Sequence, residues 1–344
     1  MSGNSGWMGW MGWMGWMGWP HTHNMASDPA VAAAMLTHRS VLNTSVLGAP
    51  GATPPPVLDD PRALAQWSPS ARRNAILMAL FQGLRYDTAG SDGFILKADG
   101  EVIAELQRPA AKDWRDVLTA QLTGVVAYTR EREPRLPEVM AQLDGGLSFL
   151  AATAGLQASR HRAVFELLDL TAGFASLISQ RFKHALNVQR PSTLSSAVLP
   201  LVPTPEHGSL PSGHGTETYA MAHVLSVLMP RGKDDFFATA HRVAQNRTVA
   251  GLHYPMDNEA GRALGRSVAE YFVHRCTGAS GIDGSSAVAA GNPAWQSRSY
   301  VAAGTASFLA ALDAPETLTA VDKAAPGKLP LAGWAWAQAT TALP

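Results

Sequence analysis

Three short stretches of the 344-residue chain combine side chains that could handle an anion. Lys183 is followed, after six intervening residues, by Arg190-Pro191, so two cations stand where a helical pattern ends. The stretch LPSGHGTE, from Leu210 to Glu217, sets a hydroxyl (Ser212), a flexible backbone amide (Gly213) and an imidazole (His214) just before an apolar helical run. The unsatisfied N–H groups at such a helix start attract an oxyanion. The third stretch, Asn246 to Asp257, holds Arg247, then His253 six positions later, then Asp257 four further on. A carboxylate that accepts the Nδ1–H of His253 would fix its tautomer and leave Nε2 available to attack or to coordinate.

Each piece also has a plain structural reading. Lys183 and Arg190 could simply complement a helix dipole. Ser212 could be an ordinary helix cap with His214 at the surface. Asp257 could be a first-turn acid and His253 a linker residue.

Taken in order, the three pieces read Lys, six residues, Arg-Pro; Pro-Ser-Gly-His; then Arg, five residues, His, three residues, Asp. In this the chain resembles the phosphatidic acid phosphatase type 2 / vanadium haloperoxidase superfamily. One position departs from the pattern: Asn246 stands where that family usually has Ser, a change expected to alter a supporting hydrogen bond and leave the chemistry intact. The resemblance implies a mainly α-helical bundle with a central oxyanion site. It also implies roles: Lys183, Arg190, Ser212, Gly213 and Arg247 hold the non-bridging oxygens, His253 is the nucleophile, His214 the acid–base partner and Asp257 the orienter.

The same cage serves two reactions in that superfamily. One is phosphoester hydrolysis through a phosphohistidine, which needs no cofactor; the other is halide oxidation by hydrogen peroxide, with vanadate held on the imidazole equivalent to His253. His207, five residues before Ser212, is a further candidate, because algal bromoperoxidases also carry a histidine there. It follows Pro203, Pro205 and Glu206 in what reads as an exposed loop. Hydrolysis by a soluble, metal-independent acid-phosphatase-type enzyme is the expectation, with the vanadate-dependent peroxidase as the alternative. A helical scaffold with a decayed site is the third reading, and the intact set of charged and imidazole side chains speaks against it.

Other elements must position these residues. Residues 1–60 read as a tail and linker: a Trp-Met-Gly repeat from Trp7 to Gly18, a short helical candidate, then the Gly/Ala/Pro-rich stretch from Gly48 to Pro56. Residues 61–112 contain a small β-hairpin, since Phe94-Ile95-Leu96 and Val102-Ile103-Ala104 flank Asp99-Gly100. From Asp113 the apolar period becomes helical, and 113–276 is the expected catalytic bundle, with helices over Thr216–Met229, Asp234–Ala250 and Pro255–His274. Residues 277–344 read as a peripheral arm with a helix near Tyr300 to Leu312.

Composition bounds the partners. With 27 basic and 27 acidic side chains there is no global field for nucleic acid, so an anion site must be built locally. The single cysteine, Cys276, excludes an internal disulfide and a Cys-based zinc site. Apolar runs such as Met221 to Met229 fall short of the roughly 18 residues that cross a bilayer. With no recognisable signal peptide, the expectation is a soluble, by default cytoplasmic protein with a small-molecule substrate, no membrane span and room for a homo-oligomer.

Overall fold

A computed structural model describes residues 57–278, 295–301, 317–321 and 327–343, together with Ala33. The Trp-Met-Gly repeat, the early helical candidate and the Gly/Ala/Pro stretch lie outside the described residues. The chain divides into two compact units, Met1–Leu64 and Ala65–Pro344, and the second holds the elements below.

The hairpin foreseen around Asp99-Gly100 is present. Both residues have positive φ, 50° and 88°, as a two-residue turn matched to strand twist requires. It joins β2 (Gly93–Ala98) to β3 (Glu101–Gln107). A strand not foreseen, β1 (Leu84–Ala89), pairs antiparallel with β2, and a helix not foreseen, α1 (Pro69–Phe81), precedes it. Phe94 and Leu96 on β2 point inward, and Phe94 meets Phe182 of the bundle edge-on at 5.2 Å.

The bundle follows as α2 (Trp114–Ala127), α3 (Arg132–Ala141), α4 (Leu147–Thr153), α5 (Arg162–Leu186), the single turn α6 (Pro191–Leu194), α7 (Gly213–Leu228), α8 (Lys233–Val249) and α9 (Pro255–Thr277). The C-terminal region is more than an arm. Residues Trp295–Val301 form β4, parallel to β3, and Thr317–Val321 form β5, so the sheet order is β1-β2-β3-β4-β5. A parallel pair needs a long crossover connection, and here the bundle is that connection. Tyr300 therefore lies in a strand where a helix was expected, and 302–316 lie outside the described residues. A last helix, α10 (Pro330–Thr341), packs on α5 and α9. It carries Trp334 under the Arg72 guanidinium at 5.8 Å.

Two elements decide where the site lies. Helix α7 is buried along most of its length, against α9, α8 and α5. It approaches α9 closely because α9 carries glycine at 261 and 265: a Cβ there would lie 2.8 Å from the Ser212 carbonyl oxygen and 2.4 Å from that of Thr216. Backbone contact of this kind brings the start of α7 against the start of α9, where the Ser212 N–H donates to the Asp257 carbonyl at 2.8 Å. Helix α5 is long, and Val164, Leu167, Phe174, Ile178 and Phe182 keep an inward stripe. With the turn that follows it, Arg162–Leu194 is long and apolar enough to cross a membrane, although polar and charged residues interrupt its apolar runs; 61% of its most apolar window is buried inside the protein.

Candidate active site

Each cluster is delivered by the end of a helix. Asn187, in the left-handed region at φ 45°, terminates α5, and the chain turns back so that Arg190 precedes the first turn of α6 at Pro191. Ser212 caps α7, its Oγ accepting the Gly215 N–H at 3.2 Å; its own hydroxyl proton remains available to donate. Arg247 lies in the last turn of α8, and Gly251, at φ 77°, makes the turn into α9. Tyr254 caps α9, with Pro255 at its first position.

His253 is 4% exposed and Asp257 is fully buried. His253 Nδ1 lies 3.0 Å from Asp257 Oδ2, so Nδ1 carries the proton and Nε2 the lone pair. That lone pair accepts a hydrogen bond from Arg190 Nη1 at 3.0 Å, so it is occupied and not free. Burial, with Arg190 and Lys183 nearby, drives the His253 pKa well below its ordinary value and keeps the ring neutral.

The cations differ in what they have left to offer. Lys183 Nζ donates to the carbonyl oxygens of Gly208, Ser209 and Pro211 at 3.2, 3.1 and 2.5 Å. All three ammonium protons thus hold the loop that presents Ser212. Arg190 donates to the carbonyl oxygens of His207 and Leu252 at 3.1 and 2.8 Å, and its Nη2 lies 3.2 Å from His207 Nδ1. Arg247, 1% exposed, bonds through Nη2 alone, to Val139 O at 3.3 Å and Gln142 Oε1 at 3.1 Å. Its Nε and Nη1 are buried with no hydrogen bond among the described residues. Desolvation lowers its pKa to about 10, so it stays cationic, and two buried N–H groups without acceptors are what a tetrahedral oxyanion would satisfy.

His214 donates from Nε2 to the Gln142 carbonyl at 2.9 Å, which leaves Nδ1 as its lone-pair nitrogen. Burial and then the Arg247 charge lower its pKa to about 3. A Cβ at Gly213 would lie 3.8 Å from both Lys183 Cε and Glu217 Oε1, so glycine keeps that space open beside the helix start.

Two residues that motif spacing did not reveal belong to this neighbourhood. Glu217, one turn into α7, has its carboxyl pushed up to about 7, first by burial, with Ser176 and Lys183 pulling the other way. Gln142, fully buried at the end of α3, touches both His214 and Arg247. Nothing about its position relative to the three motifs marks it. His207 is exposed as expected, yet it reaches the site through Arg190.

The helical bundle thus holds a neutral His–Asp pair, a helix start and buried guanidinium groups, a set whose chemistry suits an oxyanion. Residues 167–280 match the family described as "PAP2 superfamily". Over 102 residues it is 32% identical to a lipid A 1-phosphatase of Rhizobium johnstonii, covering 28% of this chain and 42% of that protein. Over 59 residues it is 34% identical to a non-specific acid phosphatase of Providencia stuartii, covering 17% of this chain and 24% of that one. The chain thus spans less than half the length of these curated relatives. Among solved structures, a transmembrane PAP2-type phosphatidylglycerolphosphate phosphatase from Bacillus subtilis is 16% identical with a TM-score of 0.29, covering 46% of this chain and 84% of that one, a likeness too loose to carry an argument.

Proposed function

We propose that the protein is a phosphoester hydrolase acting through a phosphohistidine on His253. One observation carries the reading: a neutral imidazole, oriented by a buried carboxylate, stands within a hydrogen bond of one guanidinium, in a site where a second guanidinium keeps two buried N–H groups without acceptors. Arg247, the Ser212 hydroxyl and the backbone amides at the start of α7 hold the non-bridging oxygens, and Arg190 transfers its Nη1 hydrogen bond from His253 to the phosphoryl group. Lys183 fixes the loop and adds charge. In the first step His253 Nε2 attacks phosphorus, the P–N bond forms and the P–O bond to the leaving group breaks. His214, protonated on both nitrogens once the dianion is bound, passes its Nδ1 proton to the leaving oxygen. In the second step His214 takes a proton from water, the resulting hydroxide displaces His253, and phosphate leaves.

Phosphoryl transfer rests on positioning and charge neutralisation. A cationic donor set supplies the second and disfavours a resident metal cation, which supports metal independence. The 61% burial of the apolar window in α5 supports reading that helix as core and the protein as soluble; the proposed substrate is a small-molecule phosphoester.

Vanadate-dependent halide oxidation is the second reading, favoured by the His207–Arg190 contact. The same donors would hold vanadate, with His253 Nε2 as its nitrogen partner, and vanadate would supply peroxide activation. Paired assays separate the two: p-nitrophenyl phosphate hydrolysis by vanadate-free protein, and bromination with peroxide after vanadate is added. Hydrolysis with negligible bromination is expected; the reverse result would overturn the phosphatase reading.

A further inference from the structure

The departure at Asn246 leads to an additional member of the oxyanion cage. Asn246 is fully buried. Its Nδ2 donates to Glu138 Oε2 and to Gln142 Oε1, both at 2.9 Å. Arg242 grips the same Glu138 carboxylate through two bonds of 2.8 Å and, acting first, holds its pKa down to about 2. Gln142 Oε1 also accepts from Arg247 Nη2 at 3.1 Å. Both neighbours of that oxygen are donor-only nitrogens, so the amide orientation is determined: oxygen toward Asn246 and Arg247, NH2 the other way. That Nε2 is buried and, like Arg247 Nε and Nη1, has no hydrogen bond among the described residues. Through its backbone carbonyl, the same residue accepts the hydrogen bond from His214 Nε2.

We propose that Gln142 is an oxyanion-binding residue of this site, its Nε2 donating to the same anion as Arg247 while its Oε1 aligns that guanidinium. The inference rests on the oxyanion reading given above and extends it to a side chain outside residues 167–280. The two side chains are joined by one hydrogen bond, and each keeps buried donor nitrogens with no acceptor among the described residues, where leaving them unsatisfied is costly. Asn246 follows from the same arrangement: its amide spans Glu138 and Gln142 together, with one proton for each carbonyl or carboxylate oxygen.

The test is orthovanadate binding to the full chain, followed by titration and by the side-chain NH2 signals in 1H–15N spectra. Gln142→Glu keeps the acceptor for Arg247 and Asn246 and removes the donor; Gln142→Met removes both at similar volume. The NH2 pair of Gln142 is identified as the one missing from whichever variant folds. Expected are orthovanadate binding weakened by about tenfold or more in Gln142→Glu, the loss of one charge-assisted hydrogen bond, and Gln142 NH2 signals that move as wild-type protein is titrated. Wild-type affinity in Gln142→Glu, or NH2 signals that stay in place while vanadate binds, would overturn the assignment. Failure of the wild type to bind orthovanadate would instead defeat the oxyanion reading itself.

Discussion

Asp257 Oδ2 accepts both the His253 Nδ1–H, at 3.0 Å, and the Tyr254 N–H, at 2.9 Å, so one oxygen caps α9 and orients the imidazole. The two readings open for this residue, first-turn acid and orienter, are therefore one arrangement: the helix start that needs an acceptor is also where the histidine needs a partner. Replacing Asp257 with Asn keeps the size and one acceptor but permits the wrong imidazole tautomer. We expect kcat for p-nitrophenyl phosphate to fall by roughly 10²- to 10⁴-fold in Asp257→Asn. Asp257→Ala should in addition lose about 1 kcal/mol from the missing cap in urea unfolding. A wild-type rate in Asp257→Asn contradicts the orienting role.

Arg247 is a buried charge whose proposed anion-binding role comes at a cost to stability. It is 1% exposed, and desolvation lowers its pKa to about 10. An apolar side chain of similar length should suit that place better. Arg247→Met is expected to abolish orthovanadate binding while raising unfolding stability by about 1–3 kcal/mol. Loss of stability together with retained anion binding would show that the guanidinium is there for the fold.

The pH dependence has a definite sign. His214 has a folded pKa of about 3 against an ordinary 6.5, so the folded state holds it neutral; the stability this contributes is present above 6.5 and is lost as pH falls from 6.5 toward 3. A bound anion offsets the Arg247 field and raises that pKa, so binding of orthophosphate, a monoanion in this window, should take up a proton on His214. Calorimetry in buffers of different ionisation enthalpy measures the uptake. It should be absent in His214→Gln, and equal uptake in that variant would assign the proton elsewhere.

Close approach of α7 and α9 can be broken without touching the site. In Gly265→Ala the new Cβ would stand 2.4 Å from the Thr216 carbonyl oxygen, and the helices would have to separate. Denaturant unfolding should show a loss of about 1–3 kcal/mol, and turnover should fall with it, because the Ser212–Asp257 backbone bond depends on that contact. Wild-type stability and rate would mean that the starts of the two helices are held together by other contacts.

What was legible in the residues beforehand follows the range of the interactions involved. Helix starts and stops, the Asp99-Gly100 turn and the three motif clusters depend on neighbours a few positions apart, so they could be read directly. Strands β4 and β5 could not, because β4 is defined by parallel pairing with β3 across the whole bundle. The Gly261/Gly265 contact was visible only as two glycines in a helical pattern, without the facing Ser212 and Thr216 backbone that explains them. Gln142 carries no local signal, because its role arises from α3 packing beside α8. The family resemblance assigns Lys183 and Arg190 to the site, but it says nothing of the carbonyl oxygens that accept their hydrogen bonds.

The most direct measurement is rapid-quench labelling with a 32P-phosphoester, followed by alkaline denaturation and peptide mapping. The account predicts acid-labile, base-stable label on His253 during turnover, with none in His253→Ala. Turnover with no label on His253, or hydrolysis that persists at the wild-type rate in His253→Ala, would contradict it.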